Sequence, residues 1–99
     1  MKLTIIVSDG AVYKDSYSYS GLILEGVPDT VHALQWDNGA GWLEFKSESE
    51  FRRPPNEVIT ELPSWALDAV NKWDAEKAAE EAAIVESEQQ PISQGAQTL

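Results

Sequence analysis

The chain of 99 residues contains no cysteine and a single histidine. The lack of cysteine excludes disulfides, thiolate metal sites and cysteine nucleophiles. One histidine, His32, cannot by itself make a metal site of several histidines. Basic residues are also few: 7 Lys and Arg against 17 Asp and Glu give a formal net charge of -10. Because binding to nucleic-acid phosphates needs a basic surface, we expect no nucleic-acid partner.

Long apolar runs are missing as well. No stretch approaches the roughly 20 residues of a membrane-spanning helix, and the first residues have the pattern of a strand and not of a signal peptide. We therefore expect no membrane partner. No nucleophile–base pair, metal-ligand cluster or phosphate-binding loop is recognisable, so the sequence predicts no enzyme, no cofactor and no metal site. It predicts a small acidic domain that binds other proteins.

The first half has the pattern of a small antiparallel sheet. Residues 2–46 contain four to five short segments rich in β-branched and aromatic residues, separated by turn residues. Asn38-Gly39 between two alternating runs predicts a two-residue type I′ hairpin turn. That turn predicts three cross-strand pairs: Leu34 with Leu43, Trp36 with Gly41, and His32 with Phe45.

This register decides which side chains face the core, because a slip of one residue would turn a whole strand over. We expect His32 to be a partly buried structural residue on the apolar face. Trp42 is left on the other face, where a large aromatic is a candidate partner contact. The predicted core combines strand and helix residues: Leu34, Trp36, Leu43, Phe45, Trp65, Ala69 and Trp73.

The second half predicts a linker, a helix and a tail. Residues 47–63 form a Pro-containing linker that packs on the domain, and its segment 57–62 fits either an edge strand or one helical turn. Residues 64–88 form a helix in the same domain as the sheet, because their apolar stripe faces it. Residues 89–99 are polar and are expected to be a flexible tail. The fold class is α+β: a small antiparallel β-meander of about four to five strands, followed by one long C-terminal helix and the tail.

Six residues are candidate partner contacts: Trp42, Arg52, Arg53, Ala78, Ala82 and Val85. The two arginines are the one basic cluster, suited to a carboxylate of a partner or of this chain's own acidic helix. The two alanines and the valine form a narrow seam at three- and four-residue spacing, as in a short coiled coil. The alternative interpretation of that seam is a solvated extension of the helix.

Three segments, at residues 31–45, 55–66 and 72–80, resemble a group of small tailed-bacteriophage proteins encoded near tail genes. The resemblance spans about residues 3–81, and the final Gln97-Thr98-Leu99 also fits it. It implies a bacteriophage accessory protein that acts by protein–protein binding, as a tail-fibre assembly chaperone or a minor tail or virion component. It further implies a phage tail or tail-fibre protein as partner, with self-association as a second possibility. The expected location is the host cytoplasm during assembly, or the virion tail.

The net charge supports an alternative hypothesis from another class. An acidic chain can inhibit a host defence enzyme or a nucleic-acid-acting enzyme by imitating phosphate charge. Residues 1–50 carry 8 acids and 3 bases, and residues 51–99 carry 9 acids and 4 bases, so each half has a net charge of -5. Because such an inhibitor concentrates charge on one face, this even spread favours the accessory-protein hypothesis.

Overall fold

The computed structural model describes residues 1–50 and 52–98, with side chains as far as residue 85. Its elements confirm the α+β class, with six strands where four to five were predicted. They are β1 (Lys2–Ile6), β2 (Ala11–Lys14), β3 (Tyr17–Tyr19), β4 (Val31–Asp37), β5 (Ala40–Phe45), β6 (Glu57–Ile59) and α1 (Ser64–Thr98). The sixth strand lies in the predicted linker. Segment 57–62, for which the sequence allowed an edge strand or one helical turn, therefore begins with an edge strand.

The six strands form one antiparallel sheet in the order β3-β2-β1-β4-β5-β6. Each half of the sheet, β1–β3 and β4–β6, is a short meander. Residues 20–30 return the chain from the edge strand β3 to the sheet centre, where β4 pairs with β1. The single meander expected from the sequence is therefore two meanders joined side by side.

The hairpin of β4 and β5 follows the predicted turn. Asn38 and Gly39 have φ angles of 46° and 105°, and positive φ at both central residues is what a type I′ turn requires. The predicted pairs Leu34–Leu43 and Trp36–Gly41 are confirmed.

The predicted pair of His32 with Phe45 is wrong. The register shifts between Val31 and Ala33, so that Val31 lies opposite Phe45 and Ala33 lies opposite Glu44. The shift leaves His32 as the extra residue of a β-bulge. The imidazole is exposed and is not a partly buried group on the apolar face.

The helix α1 packs its first turns on one face of the sheet. Ala66 and Leu67 donate their backbone N–H groups to the carbonyl of Pro63, so this carbonyl is the first of the helix. Trp36 and Phe45 are half-buried against the core. The buried cluster consists of Leu3, Ile5, Val12, Val31, Leu34, Leu43, Trp65, Ala66, Ala69 and Trp73.

The helix ends at Thr98, beyond the predicted end at residue 88. The predicted flexible tail, residues 89–99, lies outside the residues whose side chains are described. Among the described residues, no helix combines the length and the apolar character that crossing a membrane requires.

Polar contacts hold α1 to the edge strand β3. The indole Nε1–H of Trp73 donates to the carbonyl of Tyr17 at 3.0 Å. The hydroxyls of Tyr17 and Tyr19 both donate to the carboxylate of Glu80, the first at 2.6 Å. The hydrogen bond to Glu80 raises the pKa of Tyr17, while burial followed by the bond to Glu80 raises the pKa of Tyr19. The same bonds, that from Tyr17 first, lower the pKa of Glu80.

Candidate interaction surface

The face of the sheet turned away from α1 carries a continuous row of uncharged side chains. Side chains alternate between faces along a strand, so each cross-strand pair lies on one face. The pairs link one residue from every strand into an open-face row: Ser18, Tyr13, Thr4, Gln35, Trp42 and Val58. Five strand spacings make this row about 24 Å long.

The three large hydrophobic side chains of the open-face row are substantially exposed. The exposed fractions are 46% for Tyr13, 42% for Trp42 and 77% for Val58. Between the two aromatics, the hydroxyl of Thr4 donates to Oε1 of Gln35 at 2.7 Å. Interface centres are depleted in charge and enriched in Tyr and Trp. On a chain with a net charge of -10, this row is the best candidate surface for protein contact.

Trp42 and Arg53, which the sequence singled out separately, meet through one carboxylate. The indole Nε1–H of Trp42 donates to Glu44 Oε2 at 3.0 Å. Nη2 of Arg53 donates to Glu44 Oε1 at 3.5 Å and to Asn56 Oδ1 at 3.3 Å. Residues 42 and 44 share a face because they are two apart on β5. The shared carboxylate orients the indole and joins it to the segment that carries Arg53.

The other predicted contacts lie elsewhere. Arg52 is exposed, and its carbonyl accepts the backbone N–H of Glu48 at 2.8 Å in a tight turn. Ala78, Ala82 and Val85 are exposed on α1, which packs on the opposite face of the sheet. The structure therefore separates the helix seam from the open-face row.

Comparison with family models, with curated proteins and with solved structures finds no match to this chain. The geometry of the open face and the resemblance of the three segments are what bear on its function.

Sequence reasoning missed Tyr13 and Val58. Each lies in a strand of only three or four residues that contains other apolar residues. No local pattern therefore shows which of them faces outward. Val58 lies opposite Trp42, and Tyr13 lies three strands away in the same row. Both positions follow from strand pairing that joins segments far apart in the chain.

The described residues contain no group of three or more His, Asp or Glu side chains that could hold a metal ion. Among the same residues, no buried side-chain nitrogen or oxygen lacks a hydrogen-bond partner. What the open face presents is exposed aromatic side chains, an oriented carboxylate and an arginine.

Proposed function

We propose that this chain is a bacteriophage accessory protein that binds another protein through the open-face row. It serves as a tail-fibre assembly chaperone or as a minor component of the tail or virion. The observation that carries the binding role is the uncharged row with its two exposed aromatics, Tyr13 and Trp42, on a chain with a net charge of -10. The phage context is supported by the resemblance of residues 31–45, 55–66 and 72–80.

The size of the row supports a reversible contact. With about 24 Å across the strands and about 15 Å along them, the face offers roughly 350 Å². A standard interface buries about 800 Å² on each partner, and smaller ones are typical of transient complexes. A chaperone that releases its client fits a contact of this size.

The partner is a different protein rather than a second copy. Two chains that each carry a net charge of -10 repel one another, and this repulsion opposes self-association. A tail or tail-fibre protein with a neutral or basic surface would bind without this electrostatic repulsion.

The alternative of an acidic inhibitor needs a concentrated acidic face. In the described part of the chain the acids are spread over every region: the turns and linkers (for example Asp9, Asp15 and Glu48), the strands (Asp37, Glu44 and Glu57) and α1 (for example Asp68 and Glu81). Beside the open-face row, the same face carries only scattered acids such as Asp37 and Glu44, and the row itself is uncharged. The distribution therefore favours the accessory-protein proposal.

The test of the binding role is a capture experiment followed by affinity measurement. The tagged chain is used to capture proteins from phage-infected cells, and a captured tail protein is then purified and titrated. Trp42→Ala is expected to weaken binding at least tenfold, the usual effect of removing an aromatic that dominates a contact. Leu67→Ala is the matched control, because Leu67 is 51% exposed on α1, and its affinity should equal that of the wild type.

Two results would contradict the proposal. Equal affinities of the Trp42→Ala and Leu67→Ala variants would remove the open-face row from the contact. A captured set without tail or fibre proteins would remove the phage assembly role. Mass spectrometry of purified virions then separates the two forms of the proposal, since a chaperone leaves the particle and a tail component stays in it.

A further inference from the structure

The β-bulge at His32 lies beside a pocket at one end of the sheet. The pocket has a volume of about 280 Å³, and its lining residues are His32, Phe45, Lys46, Ser47 and Arg53. Among the paired registers of the described strands, this bulge is the one irregularity. Bulges recur next to functional sites because they re-aim a side chain.

The local fold explains how these side chains come together. The bulge leaves His32 without a partner in the β4–β5 ladder, while its carbonyl accepts the backbone N–H of Val7 at 3.0 Å. Its side chain is exposed. The backbone N–H of Lys46 donates to the carbonyl of Thr30 at 2.9 Å, which fixes the end of β5 beside the start of β4. Ser49 and Arg52 then form an isolated antiparallel bridge, and this tight turn brings Arg53 back beside Ser47.

The pocket gathers hydrogen-bond donors and positive charge on an acidic chain. Lys46 and Arg53 are two of the 7 Lys and Arg in the sequence, and Ser47 and His32 add a hydroxyl and an imidazole. Arg53 contacts both Glu44 and Asn56 through Nη2. A guanidinium has five N–H donors, and the hydrogen bonds of Arg53 to described side chains use Nη2 only. We therefore assign Nη1 and Nε as the donors for a ligand.

The charges favour one kind of ligand. Glu44 offsets part of the charge of Arg53, so the pocket carries about one unit of positive charge. A singly charged carboxylate matches that charge, and its two oxygens can accept paired N–H groups of the planar guanidinium. The net charge of -10 on the chain repels a polyanion. Phe45 is half-buried in the lining and offers an apolar surface beside the charged end.

We propose that the pocket of His32, Lys46, Ser47 and Arg53 binds a carboxylate group of a protein partner, with an apolar side chain of that partner against Phe45. This inference rests on the proposed function in one respect, that the ligand belongs to a protein. The contacts Arg53–Glu44 and Glu44–Trp42 connect the pocket to the open-face row, so one partner reaches both.

The pocket is tested on the isolated chain by nuclear magnetic resonance, with small anions as probes. His32 is the single histidine, so its imidazole signals are unambiguous. Sodium acetate, N-acetylphenylalanine, the uncharged amide of N-acetylphenylalanine and inorganic phosphate are titrated separately, with sodium chloride at equal ionic strength as reference. We expect saturable shifts at His32 and at the side chain of Arg53 with both carboxylates, tighter for N-acetylphenylalanine than for acetate, and none with the amide.

Variants assign the effect to the pocket. Arg53→Gln should weaken binding of N-acetylphenylalanine about fivefold, the usual upper value for one exposed charge pair. Arg52→Gln is the matched control, because the neighbouring arginine does not line the pocket, and its affinity should be that of the wild type. If Arg53→Gln disturbs the fold through its contacts with Glu44 and Asn56, Lys46→Gln provides the same test.

Three outcomes would overturn the inference. Shifts with sodium chloride that match those with acetate would show an ionic-strength effect only. Tighter binding of phosphate than of either carboxylate would assign the pocket to a phosphate group. Equal affinities of Arg52→Gln and Arg53→Gln would place the anion elsewhere. In each case the Trp42→Ala experiment still tests the open-face row separately, so the two proposals can fail independently.

Discussion

Replacement of Trp73 by alanine is the most direct test of how the helix is held on the sheet. Trp73 is 8% exposed and belongs to the buried cluster. Its ring packs edge-on against Tyr17 and Tyr19, at centroid distances of 6.3 and 5.8 Å. Nζ of Lys14 lies 4.7 Å from its ring centroid. The substitution removes all of these contacts together with the hydrogen bond to the carbonyl of Tyr17.

The expected loss of unfolding free energy follows from burial and from that hydrogen bond. Truncation of a buried tryptophan to alanine costs about 3–5 kcal/mol, and the substitution also leaves the partly buried carbonyl of Tyr17 without its donor. We therefore expect a loss of about 4–5 kcal/mol for Trp73→Ala. Trp42→Ala should cost less than about 1 kcal/mol, because Trp42 is 42% exposed and lies outside the buried cluster.

Urea unfolding followed by far-ultraviolet circular dichroism measures the loss without depending on tryptophan fluorescence. For a domain of this size, the expected loss lowers the unfolding midpoint of Trp73→Ala by about 2 M or more. Trp73→Phe is an intermediate variant that keeps an aromatic ring and loses the indole donor, and it should lose about 1–2 kcal/mol.

A Trp42→Ala variant as unstable as Trp73→Ala would contradict the assignment of the two tryptophans. That result would mean that the face carrying Trp42 holds the fold together and is not a free surface. A Trp73→Ala variant with the wild-type midpoint would likewise show that α1 is not anchored through this ring.

Two further substitutions test the hydrogen bonds from Tyr17 and Tyr19 to Glu80 and the hairpin of β4 and β5. The hydrogen bond to Glu80 raises the pKa of Tyr17 above 10.0, so this stabilisation is complete below that pH and is lost as the pH rises through the folded-state pKa. Glu80→Gln should therefore reduce the loss of stability between about pH 8 and about pH 11, and an unchanged pH profile in urea unfolding would disprove the role of the carboxylate. Gly41→Ala should destabilise by about 1–3 kcal/mol, because its Cβ would collide with the carbonyl of Gln35 and approach the Cα of Trp36 to 2.9 Å; a melting temperature equal to the wild type would contradict the close β4–β5 pairing.

Local sequence signals predicted much of the fold. Asn38-Gly39 identified the hairpin turn, and the alternation around it identified the pair of Leu34 and Leu43. The four-residue spacing of Trp65, Ala69 and Trp73 identified the helix face that the structure buries. These signals are readable because a turn and a helical stripe depend on residues close together in the chain.

The candidate site was only partly predictable. Trp42 was expected on the outer face because the hairpin register places it there, and its neighbour Arg53 was noted as half of the basic pair. The exposure of His32 could not be predicted, because a β-bulge shifts one strand by a single residue. The alternation of apolar and polar residues fits the registers with and without the bulge. Tyr13 was missed because its place in the same row as Trp42 depends on the pairing of β2, β1, β4 and β5, which are not consecutive in the sequence.

The sequence by itself determined the excluded chemistry, the acidic character, the hairpin turn and the amphipathic start of the helix, since composition and short-range periodicity encode these directly. Only the tertiary structure decided that six strands share one sheet, that uncharged residues line up across its open face, and that Lys46 and Arg53 meet His32 in one pocket. The physical reason is that these features arise from pairing between distant segments. Such pairing is selected by the packing of the whole sheet against α1, which no local window of the chain contains.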